Sequence, residues 1–174
     1  DTTSFIIAIE ELARVCASHS ITISAHTTLG TSPIVNFGTE EQKRRFVPRL
    51  ASGRVLGGFG LTEPDAGSDA GGTRTTAVKK GHAYLINGTK RFITHGGVGE
   101  SFVITAVTDP SKGTKGISSF VVTKETCDLA RVKDLGMGHD PELPVMKGFR
   151  SGKKEDKLGW RASDTRELIF EDVE

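Results

Sequence analysis

A segment running from Phe59 to Asp69, with the sequence FGLTEPDAGSD, combines residue types that can bind a phosphate group or a cofactor. An apolar strand leads into a turn at Pro64, and Gly67 and Ser68 follow with backbone N–H groups that can point at a ligand. Glycine-rich loops in other proteins hold phosphate groups through such donors. The same composition also occurs in ordinary surface turns, so these residues alone leave both interpretations open.

Other reactive residue types are scattered along the chain. The five histidines include no pair at the spacing of metal ligands, so we predict no metal site and expect packing or surface roles. Cys16 and Cys127 lie far apart in sequence, which predicts two reduced thiols. Lys and Arg number 23 against 22 Asp and Glu, and this balance argues against nucleic acid as a partner. No apolar run approaches the ~20 residues that a membrane span needs.

The first fifty residues are predicted to be helical. Apolar residues recur at three- and four-residue spacing over residues 4–25, which predicts a first helix, and Gly30 with a proline three residues later predicts its end. Thr39 and Gln42 form a capping-box pattern that predicts the start of a second helix. Pro48 is expected to kink or end that helix.

Beyond residue 53 the composition changes to short runs rich in Val, Ile, Thr and Phe, which predict β-strands. The seven predicted strands are residues 55–61, 73–79, 83–86, 91–94, 102–108, 117–123 and 167–170. Asn87-Gly88 predicts a tight hairpin turn between the third and the fourth. The sequence therefore predicts an α+β protein, with helices in residues 1–53 and an antiparallel β-barrel or sandwich in residues 54–174.

Four segments are specific enough to indicate a family. They are FGTEEQK from Phe37, LTEPDAGSD from Leu61, NGTKRFIT from Asn87 and KKEDKLGWRASDTRELIFEDV from Lys153. They resemble motifs of the acyl-CoA dehydrogenases, in the family's order, and the short-chain, butyryl-CoA-like members most of all. The resemblance implies a fragment that covers the end of an N-terminal helical domain and a middle β domain. The family's third part, a C-terminal helical bundle, is then absent from this chain.

The resemblance also implies an FAD site. Carried over position by position, the flavin-binding residues are Phe59, Gly60, Leu61, Thr62, Gly67, Ser68, Phe92, Ile93 and Thr94. The hydroxyl of Thr62 is expected at the edge of the flavin ring and Thr94 near its reactive N5, and Ser68 is expected to touch the CoA portion of the substrate as well. Glu63 is expected to be a structural carboxylate that fixes the turn. The catalytic glutamate lies beyond Glu174 in the family, so we expect no catalytic residue here.

The implied reaction is the α,β-dehydrogenation of a short-chain acyl-CoA, with hydride transfer to flavin N5. The family further implies electron-transferring flavoprotein as electron acceptor, a homotetramer, and a location in the bacterial cytoplasm or the mitochondrial matrix. Two alternatives stay open: an acyl-CoA oxidase or another flavoenzyme of the superfamily, and a non-catalytic fragment that binds CoA, FAD or a partner chain. Phe92 stands where many members have Trp, and an additional stretch from Cys127 to Lys147 is predicted to be a long loop.

Overall fold

The computed structural model describes residues 1–124 and 140–174, so most of the predicted loop from Cys127 to Lys147 lies outside the described residues. The α-helices are α1 (Thr2–Val15), α2 (Ala17–Ala25), α3 (Ser32–Phe37) and α4 (Glu40–Ala51), and a π-helical segment, His26–Thr31, joins α2 to α3. The strands are β1 (Gly57–Gly60), β2 (Thr76–Lys80), β3 (Ala83–Thr94), β4 (Ser101–Val107), β5 (Ile117–Thr123), β6 (Phe149–Lys154) and β7 (Thr165–Val173). Short 3₁₀ turns lie at Ala70–Gly72 and Pro110–Gly116.

The predicted helix start at Thr39 is confirmed, and the predicted stop at Gly30 is wrong. Thr39 Oγ1 accepts a hydrogen bond from Gln42 N and the Gln42 side chain accepts one from Thr39 N, which is a complete capping box. The helical segment continues through Gly30. This glycine instead permits close packing, since a Cβ atom there would lie 2.4 Å from the carbonyl carbon of Gly57. The helical layer can therefore approach β1 closely.

The strands form one curled sheet in the order β1-β4-β2-β3-β7-β6, and β5 pairs with β4. The predicted architecture, helices followed by a β domain, is thus confirmed. The sheet is mixed, since β1 pairs with β4 in parallel and a single parallel bridge joins Thr76 to Val107. The parallel pair arises because about 40 residues, including the β2–β3 hairpin, separate β1 from β4 and bring the chain back in the same direction.

The predicted hairpin turn at Asn87-Gly88 is wrong, because β3 runs without interruption through both residues. The Asn87 side chain instead exchanges two hydrogen bonds with Asp172 on β7, and the pairing register shifts between Ile86 and Gly88. Gly88 has a φ of +150° and passes so close to Thr75 that no side chain would fit. The Asn-Gly pair therefore lies inside a long strand, opposite a bulge in β7 where Asp172 has a φ of +50°, and the turn into β3 lies at Gly81, with a φ of +63°.

Two apolar clusters hold the molecule together. The larger fills the concave side of the sheet and includes Phe102, Ile104, Leu168 and Phe170. The smaller joins the helices to the sheet and contains Ile34, Phe46, Leu50, Val55, Val103 and Leu143. The strand β6 was not predicted, because its residues FRSGKK contain a single buried apolar side chain, Phe149, and show no clear alternation.

Candidate functional site

The structure brings together the two main segments that sequence reasoning selected, namely the end of β1 and the end of β3. Arg91 N donates a hydrogen bond to Thr62 O across 2.7 Å. A Cβ atom at Gly58 would lie 2.7 Å from the Thr94 carbonyl oxygen, and one at Gly60 would lie 3.1 Å from Cγ of Lys90. Residues 58–62 and 90–94 therefore run side by side, and the glycines of β1 permit the short distance between the two backbones.

A bulge in β3 decides which side chains face outward at this place. The register against β7 shifts between Lys90 and Ile93, and Phe92 adopts a φ of +58°. Ile93 is buried in the sheet core, whereas 58% of Phe92 is exposed. A φ in this region costs energy in a bulky residue. The exposed aromatic ring is consequently the part of this segment that can cover a planar ligand, and Ile93 can contribute only through its backbone.

The other predicted residues differ in exposure. Phe59, Leu61, Thr62 and Thr94 are half-buried, and Gly60 is buried at the end of β1. Gly67 and Ser68 are exposed, and no atom lies within 4 Å of the position that a Cβ on Gly67 would occupy. Within residues 1–124 and 140–174, neither the backbone N–H of Gly67 nor that of Ser68 makes a hydrogen bond. Both N–H groups are thus available to a ligand.

Glu63 fixes the turn between these residues, as the sequence predicted. Its carboxylate is buried and accepts hydrogen bonds from Thr73 Oγ1 at 2.6 Å, Arg74 N at 2.6 Å and Thr75 N at 3.0 Å. Its backbone exchanges two further hydrogen bonds with Ala66. Residues 63–66 are therefore tied to the segment that leads into β2.

The fourth partner of Glu63 is a lysine that is fully buried. Lys90 Nζ lies 2.7 Å from Glu63 Oε1 and also donates to Thr73 Oγ1 and Thr105 Oγ1. Burial would raise the pKa of Glu63, but the hydrogen bonds from Lys90, Thr73 and their neighbours outweigh it and lower this pKa to about 2. Burial lowers the pKa of Lys90, and the Glu63 carboxylate opposes that shift. The carboxylate is thus held ionised beside its ammonium partner.

The end of β3 has a second support beyond Thr94. His95 N donates to Asp164 O, and Gly97 N donates to Asp164 Oδ2, so the turn after β3 is bound to the segment before β7. His95 Nδ1 lies 2.7 Å from Gly57 O, at the start of β1. His95 is buried, and burial lowers its pKa. These contacts fix the distance between the first residue of β1 and the last residue of β3.

Lys90 and His95 were not selected from the sequence. For Lys90 a signal exists, because it lies four residues after the buried Ile86 on the same strand and so faces the same side of the sheet. A lysine at an inward position needs a buried carboxylate, and Glu63 meets that need. For His95 the sequence holds no such signal, since its position depends on the turn at 95–99.

Both parts of the chain match known families. Residues 1–54 match the model of the acyl-CoA dehydrogenase N-terminal domain, and residues 58–173 match that of the acyl-CoA dehydrogenase middle domain. The chain belongs to the acyl-CoA dehydrogenase family. The resemblance inferred from the four motifs is thereby confirmed.

The similar proteins include short-chain members of the family. The short-chain specific acyl-CoA dehydrogenase of Clostridium acetobutylicum is 49% identical over 173 residues, which cover 99% of this chain and 40% of that protein. The butyryl-CoA dehydrogenase of Megasphaera elsdenii has a similar structure, with a TM-score of 0.85 and 44% identity, over 99% of this chain and 40% of the other. An acyl-CoA dehydrogenase of Bacillus anthracis, solved in complex with FAD, gives a TM-score of 0.75 and 34% identity over 95% of this chain and 25% of its own. This acyl-CoA dehydrogenase chain thus spans about 40% of the length of the curated relative.

Within residues 1–124 and 140–174 there is no group of three or more His, Cys, Asp or Glu side chains placed to hold a metal ion. None of the helices in those ranges is both long and apolar enough to cross a membrane.

Proposed function

We propose that this acyl-CoA dehydrogenase chain is the flavin-binding and thioester-binding part of an FAD-dependent enzyme that oxidises a short-chain acyl-CoA to its α,β-unsaturated product. The observation that carries the proposal is the pairing of residues 58–62 with residues 90–94, closed by the 2.7 Å hydrogen bond from Arg91 N to Thr62 O. This pairing gathers hydroxyl groups, backbone donors and one exposed aromatic ring at a single place.

The residues present fit FAD. Phe92 offers an exposed ring on the segment that also carries Thr94 and pairs with Thr62, and both threonines are half-buried. Phe59, Gly60, Leu61 and the backbone of Ile93 would complete the surface. The free N–H groups of Gly67 and Ser68 can bind a charged or polar part of a ligand. The chemistry that FAD supplies when bound is the acceptance of a hydride from the β carbon of the acyl group.

The roles of the protein residues follow from their positions. Phe92 would cover one face of the planar ligand and exclude water from it. Thr62 and Thr94 would hold polar atoms of the ring edge in place through their hydroxyl or backbone groups, and Ser68 would orient the CoA thioester. Because these groups stand on strand ends whose backbones are fixed to each other, they would bind without much rearrangement.

Glu63 is unsuited to remove the α proton. All the hydrogen bonds to its carboxylate come from groups that stabilise the ionised form, and a carboxylate with a pKa of about 2 is a weak base. We therefore propose that the glutamate that acts as base lies outside this chain.

The wider setting is also a proposal. Residues 1–53 would be the end of an N-terminal helical domain and residues 54–174 the middle β domain. Electrons would pass to electron-transferring flavoprotein, since the reduced cofactor must be reoxidised by a further protein in a dehydrogenase. The full-length enzyme would be a homotetramer in the bacterial cytoplasm or the mitochondrial matrix.

The test is the visible absorbance of the full-length flavoprotein before and after anaerobic addition of butyryl-CoA. We expect a bound flavin band that bleaches, and we expect Thr94→Val to slow the bleaching by about 10- to 100-fold because a polar group near the ring edge is lost. His82→Gln is the matched control, because His82 is exposed and lies in the turn between β2 and β3. A colourless full-length protein would exclude the proposal, and rapid oxygen consumption during turnover would favour an oxidase.

A further inference from the structure

The fully buried Lys90 has no place in the reaction proposed above, yet it makes four polar contacts. Its Nζ lies within hydrogen-bond distance of four acceptors: Leu61 O at 3.3 Å, Glu63 Oε1 at 2.7 Å, Thr73 Oγ1 at 3.0 Å and Thr105 Oγ1 at 3.1 Å. These partners belong to the segment after β1, the segment before β2, and β4. A single ammonium group on β3 thus joins that strand to three other parts of the chain.

Stability alone does not account for a buried ion pair at this position. Both side chains are almost completely removed from water, with 0% of Lys90 and 4% of Glu63 exposed. Desolvation of two charges offsets most of their attraction, and apolar residues of similar size often give an equal or greater stability. Apolar residues would not supply directional hydrogen bonds. The ion pair can therefore fix the positions of the groups that it contacts.

Both residues of the ion pair lie next to residues of the proposed flavin site. Glu63 is the neighbour of Thr62 and begins the turn that ends in Gly67 and Ser68, and Lys90 lies two residues before Phe92 on β3. The contact of Lys90 with Leu61 O fixes the backbone of the first segment directly. The pair therefore connects the two segments that would hold the flavin.

We propose that Lys90, acting through Glu63 and Leu61, is a positioning residue that sets the placement of Thr62 and of the Gly67–Ser68 turn relative to Phe92 and Thr94. The inference rests on the proposed function, which it deepens by naming what holds the flavin-facing groups in register. Lys90 touches neither the cofactor nor the substrate in this account.

The experiment compares three variants of the full-length flavoprotein. Lys90→Met removes the ammonium group and leaves Glu63 as an unpaired buried carboxylate. The double variant Lys90→Met with Glu63→Gln removes both charges, so the unpaired charge is gone but the Lys90 hydrogen bonds are still missing. Ile86→Ala is the matched control, because Ile86 is buried on the same strand, in the sheet core, and is remote from the turn.

The main readout is the single-turnover rate of flavin bleaching by butyryl-CoA, expressed per bound FAD, so that a smaller folded fraction does not affect it. We expect Lys90→Met and the double variant to bleach about 10- to 100-fold more slowly, since small displacements of positioning groups have effects of this size. The double variant should recover much of the thermal stability that Lys90→Met loses. Ile86→Ala should lose stability and keep the wild-type rate.

Two results would overturn the inference: wild-type bleaching per bound FAD in the double variant, or an equal loss of rate in Ile86→Ala. Either would mean that Lys90 serves the fold alone.

A second readout needs no ligand. Amide hydrogen exchange at Glu63 and Arg91, which donate to the carbonyl oxygens of Ala66 and Thr62, reports the hydrogen bonds of the turn and of the strand pair. We expect faster exchange at these amides in the double variant, relative to the amides of β5, and no such difference in Ile86→Ala. If the wild-type protein bound no FAD, the proposed function would fail, and unchanged exchange in the double variant would separately overturn the positioning role.

Discussion

At its start, β1 is held by two uncharged histidines, one from the helices and one from the turn after β3. Just beyond its end, β1 is fixed by a buried pair of full charges. The same short strand thus depends on two junctions of opposite chemistry. Both junctions place backbone groups of residues 57–63 against β3 or the segment after it, and both are removed from water.

The histidine junction is built around Gly57. His26 Nδ1 accepts a hydrogen bond from Gly57 N, and its Nε2 donates to Leu50 O, so His26 must be the neutral Nε2–H tautomer. His95 donates from Nδ1 to Gly57 O, and its buried Nε2 has no hydrogen-bond partner among the described residues. A second proton on either ring would place an N–H group against another donor or in the apolar core. Burial accordingly lowers the pKa of both histidines.

The charged junction has the opposite requirement, because Glu63 must be ionised to accept its hydrogen bonds. The two junctions should therefore respond to acid in different ranges. The histidines are neutral in the folded protein and gain protons on unfolding below their ordinary pKa of 6.5, so their junction weakens as pH falls below that value. Glu63 has a folded-state pKa of about 2 against an ordinary value of 4.5, so its contribution is present above 4.5 and is lost as pH falls toward 2.

The largest expected effect is that of Lys90→Met on stability. Removal of one partner leaves Glu63 buried and unpaired, and we expect the unfolding free energy to fall by about 3–5 kcal/mol. Urea unfolding of the full-length protein at pH 7 measures the change. A loss below about 1 kcal/mol would mean that water reaches Glu63 readily, and the contrast between a charged and a neutral junction would be lost.

The next effect is the acid dependence of the charged junction. A shift of the Glu63 pKa from 4.5 to about 2 corresponds to about 3 kcal/mol of stability that disappears as pH falls through this range. We expect urea midpoints of the wild type to fall more steeply than those of Glu63→Gln below pH 4.5. Parallel curves for the two proteins would contradict the ionised state of Glu63.

At the other junction, Gly30→Ala tests the close approach of the helix to Gly57. The new Cβ would lie 2.4 Å from backbone atoms of Gly57, so the helix must move away from β1, at a cost of about 2 kcal/mol. Thermal unfolding measures the loss, and Gly159→Ala serves as the control for introducing a side chain, because a Cβ there meets nothing within 4 Å beyond its chain neighbours and Gly159 has no positive φ. An equal loss in the control would contradict the packing argument.

The comparison also shows which parts of the molecule a sequence can predict. The place of Glu63 in the family signature, beside Pro64 at a turn, indicated a structural carboxylate, and the structure confirms this role. The helix cap at Thr39 was predicted from the residues themselves, since its partners lie within four residues. Interactions among near neighbours leave a pattern in the sequence.

Long-range interactions leave no comparable pattern. The Asn87-Gly88 pair was predicted as a hairpin turn because its local preference is strong, but its hydrogen bonds to Asp172, 85 residues away, hold it inside β3 opposite a bulge in β7. Gly30 was predicted as a helix end, and its actual role depends on Gly57. The contacts of Lys90 and His95 likewise join segments that only the folded sheet brings together.

A smaller effect is expected for His95→Gln. Loss of the hydrogen bond to Gly57 O should cost about 1 kcal/mol at pH 7.5. The variant should also show a weaker dependence of stability on pH below 6.5, because one group that gains a proton on unfolding is gone, while His26 still contributes. His82→Gln, an exposed change, should leave this slope unaltered. The same slope in His95→Gln and the wild type would mean that His95 is already protonated in the folded state.

The smallest effect should come from an ion pair that resembles Lys90–Glu63 in type but not in setting. Arg150 on β6 pairs with Glu171 on β7 at 3.0 Å, with 56% and 65% of the two side chains exposed. Water screens such a pair, so Arg150→Ala should change the unfolding free energy by no more than about 0.5 kcal/mol. Urea unfolding of this variant beside Lys90→Met tests whether burial is the cause of the difference. If the exposed pair cost as much to remove as the buried one, the charge itself would explain the effect, and the burial of Lys90 would explain nothing.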